Sequence, residues 1–199
     1  MFDRVSQQPS QQPSQQPKQN AQARAREVQE TRPRVGISAC LLGQRVRYDG
    51  RIKANPARLK ALDSLVEWVA VCPEVELGLP VPRESMRLEG DPEKPRLVTA
   101  QTRRDHTLKF FQWVPGRLAE LAELDLCGFV LKSRSPSCAL GGMEVFDAEG
   151  QAAQVLGSGL FAAALHARFP HLPLIDDDAL TNRAATDQFI DRLFGHKSG

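Results

Sequence analysis

The chain has 199 residues, 41% of them apolar and 25% charged, with a formal net charge of +2. That length fits one domain plus a tail, or at most two small domains, and the absence of any run of about 18 apolar residues excludes a membrane-spanning helix. Five basic residues (Arg4, Lys18, Arg24, Arg26, Arg32) and three acidic ones (Asp3, Glu27, Glu30) within 1–33 account for the whole excess; the rest is balanced and lacks the basic footprint of a nucleic-acid binder. No apolar signal core opens the sequence, so a cytoplasmic protein is expected.

Residues 1–33 repeat QQPS and hold no apolar pattern. Such a segment buries too little surface to offset the entropy of ordering, which predicts a disordered tail. The remainder, 34–199, is expected to be one domain. VGISA (35–39) reads as a short buried strand. Asn55-Pro56 starts a helix that carries Leu59, Leu62, Leu65 and Val66 at helical spacing. WVAV (68–71) is the next strand, and the Pro/Arg-rich stretch 73–104 is expected to be irregular apart from a strand near Arg96–Thr99.

Asp105 is placed to cap a helix with Leu108, Phe111, Leu118, Leu121 and Ala122 inward, broken or kinked at Pro115-Gly116. GFVLK (128–132) is a strand, followed by a Ser/Pro/Gly-rich loop. MEVFD (143–147) reads as a short strand before the Glu149-Gly150 turn. Ser158 is expected to cap the next helix, LPLI (172–175) forms a strand, and 183–194 is the last helix, with Phe189, Ile190, Leu193 and Phe194 inward. Short apolar strands alternating with amphipathic helices predict an α/β fold: three layers, with a mostly parallel sheet flanked by helices.

Ligands of open α/β sheets sit beyond the carboxyl ends of the strands. Cys40 follows VGISA, Cys72 follows WVAV, and Cys138 lies in the loop after GFVLK, whereas Cys127 precedes its strand. Three thiols are therefore expected at one rim and a bystander at the other. A disulfide framework belongs to small secreted chains, and no close Cys pair of the structural-zinc kind is present. Three thiolates from separate loops suit a cuboidal iron–sulfur cluster with one iron left without a protein ligand. Spacing alone leaves open three unrelated buried or loop cysteines.

The flanking residues add a resemblance. SACLLGQRVRYDG (38–50), VCPEVELGLPVPRE (71–84) and LKSRSPSCALGG (131–142), in that order and with the GSGLFAAAL helix (157–165), resemble the thiouracil desulfidase-like family. The resemblance covers about residues 34–195. It implies a [4Fe–4S] cluster on Cys40, Cys72 and Cys138, delivered by iron–sulfur assembly machinery. It also implies non-redox removal of sulfur from a small thiolated substrate, a thiolated nucleobase or similar thiocarbonyl. Ala139 departs from the glycine usual in the family after the third cysteine, and GLPVPRE matches a branch often fused to a second domain.

A water attacking the thiocarbonyl carbon needs a base within hydrogen-bond reach. Glu74, two residues beyond Cys72, is favoured, with Asp49 second; the bland readings are a turn-capping carboxylate and a turn residue. Ser135 and Ser137 are expected to donate to the cluster or substrate, or to serve ordinary loop chemistry. Lys132 and Arg83 are the expected substrate-binding cations, solvation or a surface ion pair being the alternatives. Asp176–Asp178 is read as a solvated acidic turn rather than a divalent-cation site, and no histidine is assigned a role. Two other functions stay open: a nucleophilic Cys40 or Cys138, and a non-catalytic metal-carrying interaction module with the tail as its arm.

Overall fold

The computed structural model describes residues 32–52, 54–147 and 151–195, apart from the side chains of 152–156. The expected disordered tail lies outside the described residues except for Arg32 and Pro33, as does the Glu149-Gly150 turn. In chain order come β1 (Arg34–Ser38), α1 (Pro56–Leu59), β2 (Glu67–Val71), α2 (Pro73–Glu76), β3 (Met86–Glu89), β4 (Arg96–Thr99) and α3 (Thr107–Ala122). Then follow β5 (Gly128–Leu131), β6 (Met143–Phe146), β7 (Ala152–Gly157), α4 (Leu160–Arg168), β8 (Leu174–Asp176) and α5 (Arg183–Gly195). Tight 3₁₀ turns occupy Ala39–Leu42 and Ala179–Thr181.

The first sheet runs β2-β1-β5-β8, every pair parallel. Its central strands are near-continuous apolar runs because both faces are covered. Alternation sorts their side chains: Phe129 and Leu131 of β5 join Phe110, Val114, Leu118 and Leu121 of α3 and Phe161 and Leu165 of α4. Val35, Ile37 and Val130 point the other way, to Leu59, Leu62, Phe189 and Leu193. The result is the expected helix–sheet–helix layering. Gly36 is required by the packing: a Cβ there would stand 2.1 Å from Cδ2 of Phe129, whose ring lies across β1.

Other expectations are corrected. The helix expected from Asn55 through Val66 is a single turn, continued by turns with i→i+3 bonds such as Leu62 N to Leu59 O at 2.8 Å. The chain has to reverse quickly here to pair Glu67 with Arg34; Leu62 and Val66 are still buried. Within 73–104, and continuing into 143–157, a second sheet forms in the order β4-β3-β6-β7, parallel only between β3 and β6. Strands β3 and β7 escape sequence reading because Arg87 and Glu89 break up the short β3, and Gln154 divides β7 into two-residue apolar pieces. In β3, Glu89 is 1% exposed and compensated by Arg87, Arg96 and Arg103.

Helix α3 is continuous through Pro115, which lies on its exposed side. The carbonyl that loses its intrahelical donor is that of Phe111. Its buried stripe is Phe110, Val114, Leu118 and Leu121; Leu108 and Phe111 are 72% and 55% exposed, contrary to expectation. Asp105 does serve the start of α3, accepting Thr107 N at 2.8 Å. Ser158 does not cap α4: its hydroxyl donates to Leu140 O at 2.5 Å, and Gly159 takes the cap position. Phe194 is exposed at the end of α5, while Phe189 and Leu193 are buried.

Candidate active site

Strands β1, β2 and β5 end at the same rim, and the chain beyond each carries a thiol to it. Cys40 sits in the 3₁₀ turn after β1, Cys72 immediately precedes α2, and Cys138 lies in the loop after β5. All three line one cavity of about 180 Å³, together with Glu74, Arg83, Lys132 and Ser135. All four cysteines are free thiols. Cys127 is buried ahead of β5, its amide bound to Arg34 O at 2.8 Å, among the residues packed with Phe189 and Leu193.

Among the described residues, no three His, Cys, Asp or Glu side chains come together as ligands of a single metal ion. Three thiols lining one cavity suit an inorganic iron–sulfur core, for which thiolates are the usual ligands.

Burial dominates the thiol electrostatics. It pushes the Cys40 thiol up to about 11, helped by neighbouring Cys72 and opposed by Lys132 and Arg47. Burial also raises Cys72, and raises Cys138 further still against the hydrogen bond of the Ser38 hydroxyl.

Glu74 stands on the first turn of α2 and is fixed from two sides. Ser137 Oγ donates to Oε1 at 3.0 Å; Arg83 Nε donates to Oε2 at 3.0 Å, and its terminal nitrogen reaches the same oxygen. Arg83 also donates to Val46 O at 2.9 Å and Pro80 O at 3.3 Å. At 6% side-chain exposure it is a nearly buried partner of Glu74 rather than a surface ion pair. Asp49 is not among the residues lining this cavity. Its carboxylate holds Arg47, with both contacts at 3.2 Å, and it is Arg47 that reaches the cavity wall.

The loop carrying Cys138 is stapled at both ends. Ser135 Oγ accepts the amides of Ser137 (3.3 Å) and Cys138 (3.2 Å). The free amides at the start of α4 are satisfied by loop carbonyls: Leu160 N by Pro136 O at 3.1 Å, and Phe161 N by Ser137 O at 2.8 Å. This close approach demands Gly159, where a Cβ would stand 2.5 Å from the carbonyl carbon of Ser137 and 2.7 Å from the Cys138 amide. Gly159→Ala is therefore expected to push the Cys138 loop away. The expected signature is a loss of about 1–3 kcal/mol of stability, read by thermal melting, with less iron retained per chain.

At the loop's other end, Asp177 accepts Ser133 N (2.8 Å), Ser133 Oγ (2.7 Å), Lys132 Nζ (3.0 Å) and Arg58 (2.6 Å). Burial works against its ionisation, but the Ser133 and Lys132 bonds prevail and hold its carboxyl below the usual range. Asp177, 2% exposed, is thus a structural tie rather than part of a solvated acidic turn. Sequence reading missed further residues of the cavity wall, among them Ser38, Arg47 and Tyr48. A buried hydroxyl at the end of an apolar strand was the available signal for Ser38. The two loop residues carried none.

No curated protein matches the chain. The solved structure of the [4Fe-4S]-dependent thiouracil desulfidase TudS is similar to it, at 29% sequence identity and a TM-score of 0.58 over 79% of this chain and 99% of that one. The sequence model of the 2-thiouracil desulfurase family matches residues 35–177, from the first buried residue of β1 to the aspartate that anchors the Cys138 loop. That span includes all three cavity thiols, and the chain belongs to the 2-thiouracil desulfurase family.

Proposed function

We propose that this protein removes sulfur from a small thiocarbonyl compound of the thiouracil kind, using a [4Fe–4S] cluster held by Cys40, Cys72 and Cys138. The observation that carries the reading is the convergence of the three thiols on one cavity that also contains a fixed carboxylate. The family and the similarity to TudS support it. When bound, the cluster supplies a Lewis-acidic iron without a protein ligand, suited to a soft thiocarbonyl sulfur.

The chain's own groups do the rest. Glu74 takes a proton from the attacking water, and Ser137 and Arg83 keep that carboxylate from rotating away. Ser135 holds the Cys138 loop in place. Lys132, anchored on Asp177, puts a positive charge beside the cavity where negative charge develops on the departing sulfur. The thiocarbonyl and water become a carbonyl and hydrosulfide plus a proton. No electrons change hands, so no redox partner takes part. The cluster is delivered by iron–sulfur assembly machinery.

Anaerobically prepared protein is expected to hold about four irons per chain and to be brown. It should release hydrosulfide from 2-thiouracil in equal amount to the uracil formed. Sulfide release by iron-free protein would instead point to a cysteine nucleophile, and an iron-loaded protein inert toward every thiolated base would point to a non-catalytic module.

A further inference from the structure

Tyr48, the chain's single tyrosine, has no part in the chemistry above. It lines the thiol cavity and also a neighbouring cavity of about 560 Å³ bounded by Arg58 and Asp177. Among the residues lining either cavity it is the one aromatic side chain. Tyr48 is 43% exposed, a large apolar surface left facing water at the wall of a site.

The ring is nevertheless held. The Arg47 guanidinium carbon lies 5.5 Å from its centroid, and both oxygens of Asp49 fix that arginine at 3.2 Å. The Asp49 carboxylate is in turn oriented by the Arg51 amide at 3.1 Å. The backbone is clamped as well: Arg83 N donates to Tyr48 O at 2.8 Å, and the Arg83 guanidinium to Val46 O at 2.9 Å. The same arginine pins Glu74, so ring and carboxylate share one rigid reference point.

A pre-positioned aromatic face with exposed area gains most from a flat, aromatic partner, through offset stacking and removal of apolar surface from water. The remaining cavity lining is thiols, hydroxyls, charges and small aliphatic groups, which do not distinguish a ring from an open chain. We propose that Tyr48, backed by Arg47, is the specificity-determining platform on which the planar ring of a heteroaromatic thione stacks, so that the site prefers such rings to aliphatic thioamides. This rests on the desulfidase reading, whose substrate class it narrows.

The test compares wild type with Tyr48→Ala, Tyr48→Phe and Tyr48→Leu, each checked for iron content, on 2-thiouracil and on thioacetamide. Loss of a base-stacking ring is expected to raise KM for 2-thiouracil roughly 5- to 150-fold in the Ala and Leu variants. Turnover at saturation should stay within about twofold, the thioacetamide KM should not move, and Tyr48→Phe should match wild type, since the ring and not the hydroxyl is at work. An unchanged KM for 2-thiouracil, an equal rise for thioacetamide, or a Phe variant as impaired as Ala overturns the proposal. So does iron loss in both the Ala and Leu variants, which would assign Tyr48 to the fold of the site.

Calorimetric binding of uracil, the sulfur-free ring, separates this idea from the desulfidase reading. Should wild type release no sulfide from either compound, that reading fails. Uracil binding weakened by Tyr48→Ala and kept by Tyr48→Phe would still support the platform. Equal binding by all, or none by wild type, would sink it.

Discussion

Cys72→Ser is expected to leave the purified protein without its iron and without sulfide release, and Cys40→Ser and Cys138→Ser to do the same. Each thiol arrives from a different strand end, so none has a neighbour that takes its place. A serine hydroxyl is a poor substitute for a thiolate toward iron, which is the reason the loss is expected to be near complete rather than graded. Cys127→Ser is the control. Its sulfur lies 3.9 Å from Asp125 O on the opposite side of the sheet, an oxygen the serine hydroxyl can also address. The variant is expected to keep about four irons per chain. Iron analysis and the absorbance of anaerobic samples decide the matter, and full iron retention by Cys72→Ser would refute the ligand set.

Glu74→Gln carries the second large effect: a fall in kcat of about 10²–10⁴-fold, the usual contribution of a positioned acid–base group, with iron content unchanged. The two shapes are nearly the same, and an amide oxygen still accepts the Ser137 hydroxyl that now reaches Oε1 at 3.0 Å. What is lost is the capacity to take a proton from water, together with the Arg83 bonds, because the amide NH2 that replaces Oε2 cannot accept from a guanidinium. Undiminished turnover in this variant would remove Glu74 as the base. Since Arg83 donates to the same carboxylate and to Val46 O, Arg83→Ala should also slow the reaction, by releasing both Glu74 and the 46–48 loop. Comparing the two variants tells the proton from its positioning.

The strand ends were legible because they are short and apolar and stop at chemistry-bearing residues: VGISA at Cys40, WVAV at Cys72. A central parallel strand must be apolar on both faces, so its sequence is nearly self-announcing. The second sheet was not legible for the converse reason. In β3 the alternating Arg87 and Glu89 look like a solvated segment, and it is Arg96 of β4 and Arg103, joining Arg87 of β3 itself, that make a buried glutamate tolerable. The inward face of α3 was misjudged because Leu108 and Phe111 are as apolar as Phe110. Which stripe faces the sheet is set by how the helix is docked, not by its composition.

The sequence alone determined the parallel sheet, the three thiols on one rim with Cys127 apart, and, through its motifs, the family. These follow from chain direction and strand order, which local patterning encodes. The tertiary structure alone decided what each polar group does at that rim. It set Arg83 on Glu74 and Asp177 on Lys132 and Ser133, and it brought Arg47 and Tyr48 to the cavity wall. Pairings between groups 9 to 45 residues apart, such as Arg83 with Glu74 and Lys132 with Asp177, depend on where separate loops end in space. A side chain's type says what it is able to bind, whereas its neighbours, supplied by the fold, say what it does bind.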